Sequence, residues 1–228
     1  MYCGTSRSGL PFPDELSLAA SFGPLTWLDI ETTGLNPRTS HVTLIGYLIP
    51  ADLGRELVQV FVEAPEEEAE ALSTAFRELR RASTVITFNG GRFDLPFLRE
   101  RSARFGMQMP MMHHRDLLDE ALAWDPRRRI VPDHRLQTLM QHFGLARHDP
   151  RSGYDMVTIY ERWLERRQVE DRQSILDHNA DDLLKLPELT VQLICRRPPC
   201  AQFGAGQPVR ITGSTGRCVR RRSDDGRR

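Results

Sequence analysis

Apolar and polar positions alternate in a way that predicts strands in the first part of the chain and mainly helices after it. Apolar runs at residues 25–30, 42–49 and 56–63 are separated by short loops with Gly, Asn, Pro and Asp, as in an antiparallel meander. Residues 66–82 instead place apolar side chains at helical spacing. The same reasoning predicts strands at 84–88 and 111–116, and helices at 93–105, 117–124, 136–143, 157–167 and 172–194. This order indicates an α/β fold, a mixed sheet of three antiparallel strands plus parallel strands, flanked by helices.

The two ends of the chain lack this periodicity. Residues 1–24 combine Gly, Pro and Ser and predict a loosely ordered leader. Residues 195–228 are rich in Pro, Gly and Arg without a hydrophobic period, which predicts a disordered tail. In a chain of 228 residues, the segment 25–194 is expected to form one domain with its own core.

Composition favours a cytoplasmic protein with no membrane segment. No stretch approaches the roughly 20 apolar residues of a membrane span, and the first residues lack the basic and apolar regions of a signal peptide. The four cysteines, Cys3, Cys195, Cys200 and Cys218, include no CxxC pair, so reduced thiols are expected rather than disulfides. The spacing of the last three does not suit a zinc ribbon or finger.

The formal net charge is zero, because 31 basic residues balance 31 acidic ones. Taken alone, this argues against a nucleic-acid partner, since such proteins are usually basic. The charge is unevenly distributed, however. Residues 195–228 contain nine arginines and two acids, Asp224 and Asp225, so their net charge is +7, and the net charge of the remaining chain is −7. The basic tail is therefore a candidate for non-specific attraction to phosphates.

Two carboxylates lie at the end of the first apolar run, in the segment Leu28-Asp29-Ile30-Glu31. Side chains alternate between the faces of a strand, so Asp29 and Glu31 are expected to point the same way. Neighbouring carboxylates repel each other unless a cation holds them, and oxygen ligands of this kind suit Mg²⁺ or Mn²⁺. A strand with a solvated polar face is the alternative.

A second acidic segment follows the strand at 84–88. Asn89, Gly90 and Gly91 form a turn that leads into a helix with Asp94 in its first turn. The glycines allow the backbone to approach a ligand closely. Alternatively, Asp94 only compensates the helix dipole.

A third acidic segment lies in the last long helix. His178 and Asp182 are four residues apart and share a face of that helix. Asp177 and Asp181 have the same spacing, and helical geometry does not decide which pair is functional. A solvated acidic face is again the alternative.

In this order, the three segments resemble the three motifs of the DEDD superfamily of 3′–5′ exonucleases, which has the ribonuclease H-like fold. The resemblance lies in residues 28–35 (LDIETTGL), residues 86–94 (ITFNGGRFD) and the pattern His178-Asn179-x-x-Asp182-Leu183. Within that superfamily the sequence is most similar to the YprB-type ribonuclease H-like family, over roughly residues 25–194. One departure is the His, which precedes the Asp by four residues rather than five, as in the branch that carries Tyr there.

The resemblance implies a metal-dependent 3′–5′ exonuclease that hydrolyses phosphodiester bonds of DNA or RNA at a single strand or a 3′ end. It implies that two ions of Mg²⁺ or Mn²⁺ are held by four carboxylates, namely Asp29, Glu31, Asp94 and Asp182. His178 would accept the proton of the attacking water. Four further residues are candidates for substrate binding: Thr32, Thr33, Asn89 and Arg92. For Thr32, Thr33 and Arg92 a surface role is an equal alternative.

Other interpretations remain open. A catalytically silent nucleic-acid-binding or scaffolding module could keep the fold, but it would not need all four acids. A phosphodiesterase that acts on a small substrate would use the same chemistry. A rival metal cluster could form from His113, His114, Asp116 and Asp119, although strand and helix-cap roles are favoured for these residues.

Overall fold

A computed structural model describes residues 1–8, 13, 16, 24–51, 54–145 and 148–195. Its six strands are β1 (Tyr2–Ser8), β2 (Leu25–Thr32), β3 (Val42–Ala51), β4 (Gly54–Phe61), β5 (Thr84–Thr87) and β6 (His113–Asp116). They form one sheet in the order β1-β4-β3-β2-β5-β6. The first four strands in this order pair antiparallel, whereas β2–β5 and β5–β6 pair parallel. The α/β mixed sheet predicted from the sequence is confirmed, with four antiparallel strands instead of three.

Helices cover both faces of the sheet. They are α1 (Glu68–Leu79), α2 (Asp94–Arg104), α3 (Leu117–Trp124), α4 (Leu136–His142), α5 (Gly153–Arg166), α6 (Val169–Leu183) and α7 (Leu186–Thr190). The helix predicted at 172–194 is therefore interrupted after Leu183, and Pro187 lies in the first turn of the next helix, where its missing N–H costs nothing. A π-helical turn, Val191–Cys195, follows. None of the helices described here is long and apolar enough to cross a membrane.

The strand β1 corrects the prediction of a loosely ordered leader for residues 2–8. It pairs antiparallel with β4, from Tyr2 opposite Phe61 to Ser8 opposite Arg55. Its sequence, YCGTSRS, has almost no apolar alternation, so main-chain hydrogen bonds hold it in place, and periodicity gives no sign of it. The predicted disordered tail from residue 196 onward, with Cys200 and Cys218, lies outside the described residues.

Alternation along β2 divides the core between the two faces of the sheet. Leu28 and Ile30 pack on the face covered by α1 and α2. Trp27 packs on the opposite face with side chains of α3, α4 and α7, and its Nε1 donates a 2.9 Å hydrogen bond to Thr190 Oγ1. On that same side, Leu44 and Phe61 meet α5 and α6. Side chains at positions 29 and 31 follow Trp27 and therefore face this helical layer.

A buried ion pair anchors the loop that follows β2. Glu68 of α1 is 1% exposed, and its Oε1 accepts hydrogen bonds from Val42 N (2.9 Å) and Arg101 Nε (2.8 Å). Arg101 of α2 also donates from Nη1 to the carbonyl oxygen of Pro37 (3.1 Å). The pair thus joins two helices, the start of β3 and the loop between β2 and β3.

Candidate functional site

Asp29 and Glu31 lie on the face of β2 that the helices α5 and α6 cover. Glu31 is 7% exposed, and a Cβ placed on Gly153, the first residue of α5, would lie 4.0 Å from its Oε2. Asp29 is half-buried, and its Oδ2 accepts a 2.8 Å hydrogen bond from Asn179 Nδ2 of α6. The two carboxylates therefore meet the helical layer side by side.

Asp94 begins α2 and contacts the backbone of β2. β5 pairs with β2 only as far as Trp27 opposite Ile86, so the rest of β2 needs other partners on that side. Ile30 N donates a 3.1 Å hydrogen bond to Asp94 Oδ1. Burial raises the pKa of Asp94 to about 7, and the nearby charge of Asp116 contributes in the same direction. Because Ile30 lies between the two acids of β2 in the sequence, this bond holds Asp94 against the segment of the strand that carries them.

The turn before Asp94 is fixed by its own backbone contacts. Asn89 adopts a positive φ of 63°, and its N–H donates to Asp116 Oδ1 (2.7 Å), while Gly91 N donates to Asp116 Oδ2 (3.0 Å). A Cβ on Gly90 would lie 2.4 Å from Thr87 Oγ1, so only glycine fits there without a rearrangement. The second motif is thus held at the ends of β5 and β6.

The rival cluster of His113, His114, Asp116 and Asp119 does not converge on one point. His114 Nε2 lies 2.8 Å from Thr87 Oγ1, and Asp116 accepts the backbone hydrogen bonds of the turn described above. Asp119 forms an exposed ion pair with Arg92 (Nη2 to Oδ1, 2.7 Å). These contacts fit the strand and cap roles that the sequence analysis favoured.

His178 of α6 lies between Asp149 and Glu31 and is 2% exposed. Its Nδ1 is 3.0 Å from Asp149 Oδ2, and its Nε2 is 3.9 Å from Glu31 Oε1. Burial alone would raise the pKa of Asp149, but hydrogen bonds from Arg151 and His178 hold it below its usual range. An ionised carboxylate only accepts hydrogen bonds, so Nδ1 carries a proton and Nε2 faces Glu31.

The adjacent acids Asp181 and Asp182 have different surroundings. Asp181 Oδ2 accepts hydrogen bonds from the backbone N–H groups of residues 148 (2.7 Å) and 149 (3.0 Å), and its carboxylate also pairs with Lys185. It thereby secures the loop that carries Asp149. Asp182 is half-buried and shares a helix face with His178, one turn away.

The candidates for substrate binding have partners within the chain. Thr32 Oγ1 donates to the carbonyl oxygen of Gly34 (2.9 Å), and Thr33 Oγ1 accepts a hydrogen bond from His41 N (3.0 Å). Both hydroxyl groups stabilise the loop after β2. Arg92 lies on the surface, beside the turn of the second motif.

The four proposed metal ligands are connected to different extents. Asp94 hydrogen-bonds to the backbone of β2 between Asp29 and Glu31, whereas Asp182 lies on α6, one turn from His178. Within the part of the chain described, no three or more His, Cys, Asp or Glu side chains are grouped as in a preformed metal centre. The chemistry of the donor set nevertheless fits Mg²⁺ or Mn²⁺, because hard divalent cations prefer carboxylate oxygens. The ligand candidates remain Asp29, Glu31, Asp94 and Asp182.

Four residues that contact or make room for the site residues have no role in the sequence prediction, although one of them, Asn179, belongs to the third motif: Asp149, Asn179, Gln59 and Gly46. Gln59 and Gly46 did leave a signal, since each interrupts an apolar strand, and a lone glycine in a strand often marks a close approach. Asp149 left none, because its contact with His178 spans 29 residues.

Comparison with known proteins gives a family and a set of similar folds. The family model RNase_H_2, of the RNase_H superfamily, matches residues 26–194. No curated protein matches the sequence. Among solved structures, the chain is similar to the family B DNA polymerase from the hyperthermophilic archaeon Pyrobaculum calidifontis, at 17% identity and a TM-score of 0.57. That similarity covers 74% of this chain but only 24% of the polymerase, so it concerns the fold.

Two further structures have lower scores. Brucella melitensis NrnC bound to pGG is 20% identical, with a TM-score of 0.49 over 75% of this chain and 74% of that one. The zinc-bound E. coli ExoI–ssDNA complex is 16% identical, with a TM-score of 0.45 over 72% of this chain and 45% of that one. Both scores lie below 0.5, so these two similarities are weaker than the one to the polymerase.

Proposed function

Since the chain belongs to the RNase_H_2 family of the RNase_H superfamily, we propose that it is a nuclease, and specifically a divalent-metal-dependent 3′–5′ exonuclease of DNA or RNA. The proposal includes the DEDD branch and its YprB type, whose motifs the sequence resembles. One observation carries it: the adjacent residues His178 and Asn179 of α6 contact Glu31 and Asp29 of β2, respectively. The third motif is therefore packed directly on the first.

The proposed ligands of two Mg²⁺ or Mn²⁺ ions are Asp29, Glu31, Asp94 and Asp182. Such ions, when bound, lower the pKa of an attacking water and stabilise the leaving 3′ oxygen. Their charge also lets a polyanionic substrate approach an acidic site. The chain contributes the positions of these carboxylates. Two of them lie on β2, Asp94 is the first residue of α2, and Asp182 lies in the last turn of α6.

His178 is the proposed acceptor of the proton that leaves the attacking water. Asp149 holds the Nδ1 side of the ring, so the basic nitrogen is Nε2, on the side of Glu31. The ring is almost fully buried, which keeps this orientation fixed while a substrate binds. A positioned base of this kind contributes about 10²- to 10⁴-fold to a rate.

The proposed contacts to the terminal nucleotide come from Thr32, Thr33, Asn89 and Arg92. The hydroxyl groups of the two threonines already form hydrogen bonds within the loop, so they would also fix the loop from which they contact the nucleotide. Arg92 pairs with Asp119 on the surface, where solvent screens the ion pair and leaves it with little net stabilisation. A substrate phosphate can therefore replace Asp119 at little cost.

The test uses 5′-labelled single-stranded DNA and RNA of one sequence, with Mg²⁺ or Mn²⁺, and products resolved by length. We expect a ladder that shortens from the 3′ end, and its loss in the variants Asp29→Ala and Asp182→Ala. Asp177→Ala is the control, because this acid of α6 is exposed and accepts a 2.7 Å hydrogen bond from Gln173 Nε2 on the same helix. Equal cleavage by all variants would contradict the proposed site. Binding without turnover under either metal would favour the silent module.

A further inference from the structure

A row of polar positions crosses three apolar strands below the proposed site. Asp29 of β2 lies opposite Gly46 of β3, and Gly46 lies opposite Gln59 of β4. Asn179 of α6 enters this row from the helical layer and is fully buried. Its Nδ2 donates to Asp29 Oδ2 (2.8 Å), and its Oδ1 accepts from Gln59 Nε2 (3.0 Å).

The orientation of each amide in the row follows from the one before it. Gln59 Nε2 also donates to the carbonyl oxygen of Leu176 (2.8 Å), which can only accept. Gln59 therefore presents its NH₂ group to Asn179, and Asn179 accepts this hydrogen bond with Oδ1. The NH₂ group of Asn179 is then directed at Asp29, both at the carboxylate and, at 3.5 Å, at its backbone carbonyl.

Gly46 makes the space for this arrangement. A Cβ at position 46 would lie 2.0 Å from Asn179 Oδ1 and 2.7 Å from Leu183 Cδ1. Contacts that short do not occur, so any other residue would displace Asn179 or lift α6 away from β3. A glycine inside a strand otherwise weakens it, and here it admits a side chain of the neighbouring layer.

Docking alone would not require this row. A buried amide that is not fully hydrogen-bonded is costly, and an apolar side chain would join α6 to the sheet more cheaply. What the amides add is a fixed rotation of the Asp29 carboxylate. Residues that hold a metal ligand in this way typically change metal affinity by about 10- to 100-fold when they are replaced.

We propose that Asn179, oriented by Gln59 in the gap left by Gly46, is a positioning residue that presets the Asp29 carboxylate for a divalent cation. The inference depends on the proposed function, because it assumes that Asp29 is a metal ligand. Gln59 offers a separate test of this positioning role. Gln59 donates hydrogen bonds to Asn179 Oδ1 and to the backbone of Leu176, and both acceptors belong to α6, so it acts on the Asp29 carboxylate through Asn179.

The experiment measures Mn²⁺ binding to the whole protein by calorimetry, without substrate, together with thermal unfolding. Asn179→Leu is expected to raise the Kd for Mn²⁺ by about 10- to 100-fold. Gln59→Met is expected to raise it in the same direction by less, and it serves if Asn179→Leu does not fold. The control is Thr190→Val, which removes the buried hydrogen bond to Trp27 on the same face of β2. It should lower the midpoint of unfolding and leave the Kd unchanged.

The outcomes separate the two proposals. Wild-type affinity in both Asn179→Leu and Gln59→Met would overturn the positioning role, and so would an equal loss of affinity in Thr190→Val. An unmodified protein that binds no Mn²⁺, or an Asp29→Asn variant that binds it normally, would instead overturn the metal site itself.

Discussion

Replacing Asp149 with Asn tests the orientation of His178 separately from the proposed metal ligands. Arg151 N and Nε lie 2.9 Å and 2.8 Å from Asp149 Oδ1, so both of these donors are closest to that oxygen. His178 Nδ1 lies 3.0 Å from Oδ2, and Arg151 Nε makes a longer contact of 3.1 Å with the same atom. An asparagine would keep its oxygen toward Arg151 and turn its NH₂ group toward His178. His178 Nδ1 would then have to accept a hydrogen bond from this NH₂ group, and the ring proton would move to Nε2. A protonated Nε2 could not take the proton of the attacking water.

The expected loss follows from the role assigned to Nε2. A positioned general base contributes about 10²- to 10⁴-fold, so the wrong tautomer should lower kcat by about 100-fold or more, with little change in KM. A 100-fold loss corresponds to about 2.7 kcal/mol of transition-state stabilisation. In this proposal Asp149 acts on the reaction through His178, so the double variant with His178→Ala should be no slower than His178→Ala alone.

The assay is single-turnover cleavage of a 5′-labelled oligonucleotide by the four proteins of this cycle, with thermal unfolding as a check on folding. Asp155→Asn is the control for the loss of a charge near His178, because Asp155 interacts with the ring by charge while its hydrogen bonds come from Ser152 N and Oγ, both 2.7 Å away. It should keep the wild-type kcat. A wild-type kcat in Asp149→Asn, or additive losses in the double variant, would refute the reasoning.

Three further predictions address the fold, the third motif and the tail. Arg101→Met leaves Glu68 buried without its partner, so the free energy of unfolding measured in urea should fall by about 3–5 kcal/mol; wild-type stability would show that the pair does not hold the loop. Asp182→Asn should abolish turnover, whereas Asp181→Asn should mainly lower the melting temperature, and an equal kinetic loss in both would contradict the choice of Asp182. Truncation after residue 195 should weaken oligonucleotide binding at low salt with kcat unchanged; unchanged affinity at low salt would show that the tail does not bind.

The sheet was predictable where apolar residues dominate a strand. β2, β3 and β4 are each mainly apolar, with a turn signal on either side, so their order and antiparallel pairing follow from local pattern. The start of α5 was placed four residues late, at 157, although its N-terminus carries a capping box between Ser152 and Asp155. That signal is local, and the residues that form it can be read directly from the sequence.

The site was predictable in its parts but not in its connections. Periodicity puts Asp29 and Glu31 on one face of β2, and helical spacing puts Asp182 one turn from His178. The hydrogen bonds between Asn179 and Gln59 span 120 residues, and those between Asn179 and Asp29 span 150. Contacts of this length depend on how α6 docks on the sheet, which no local pattern encodes.

The strand β1 has a practical consequence for anyone who shortens this chain. The apolar pattern begins at residue 25, so a truncation designed from it would remove residues 1–24 and with them the strand that pairs along β4. β4 would then present an unpaired row of N–H and C=O groups, from Arg55 to Phe61, to other molecules. We expect such a shortened protein to self-associate through this edge, and its poor behaviour in solution would say nothing about the competence of the site.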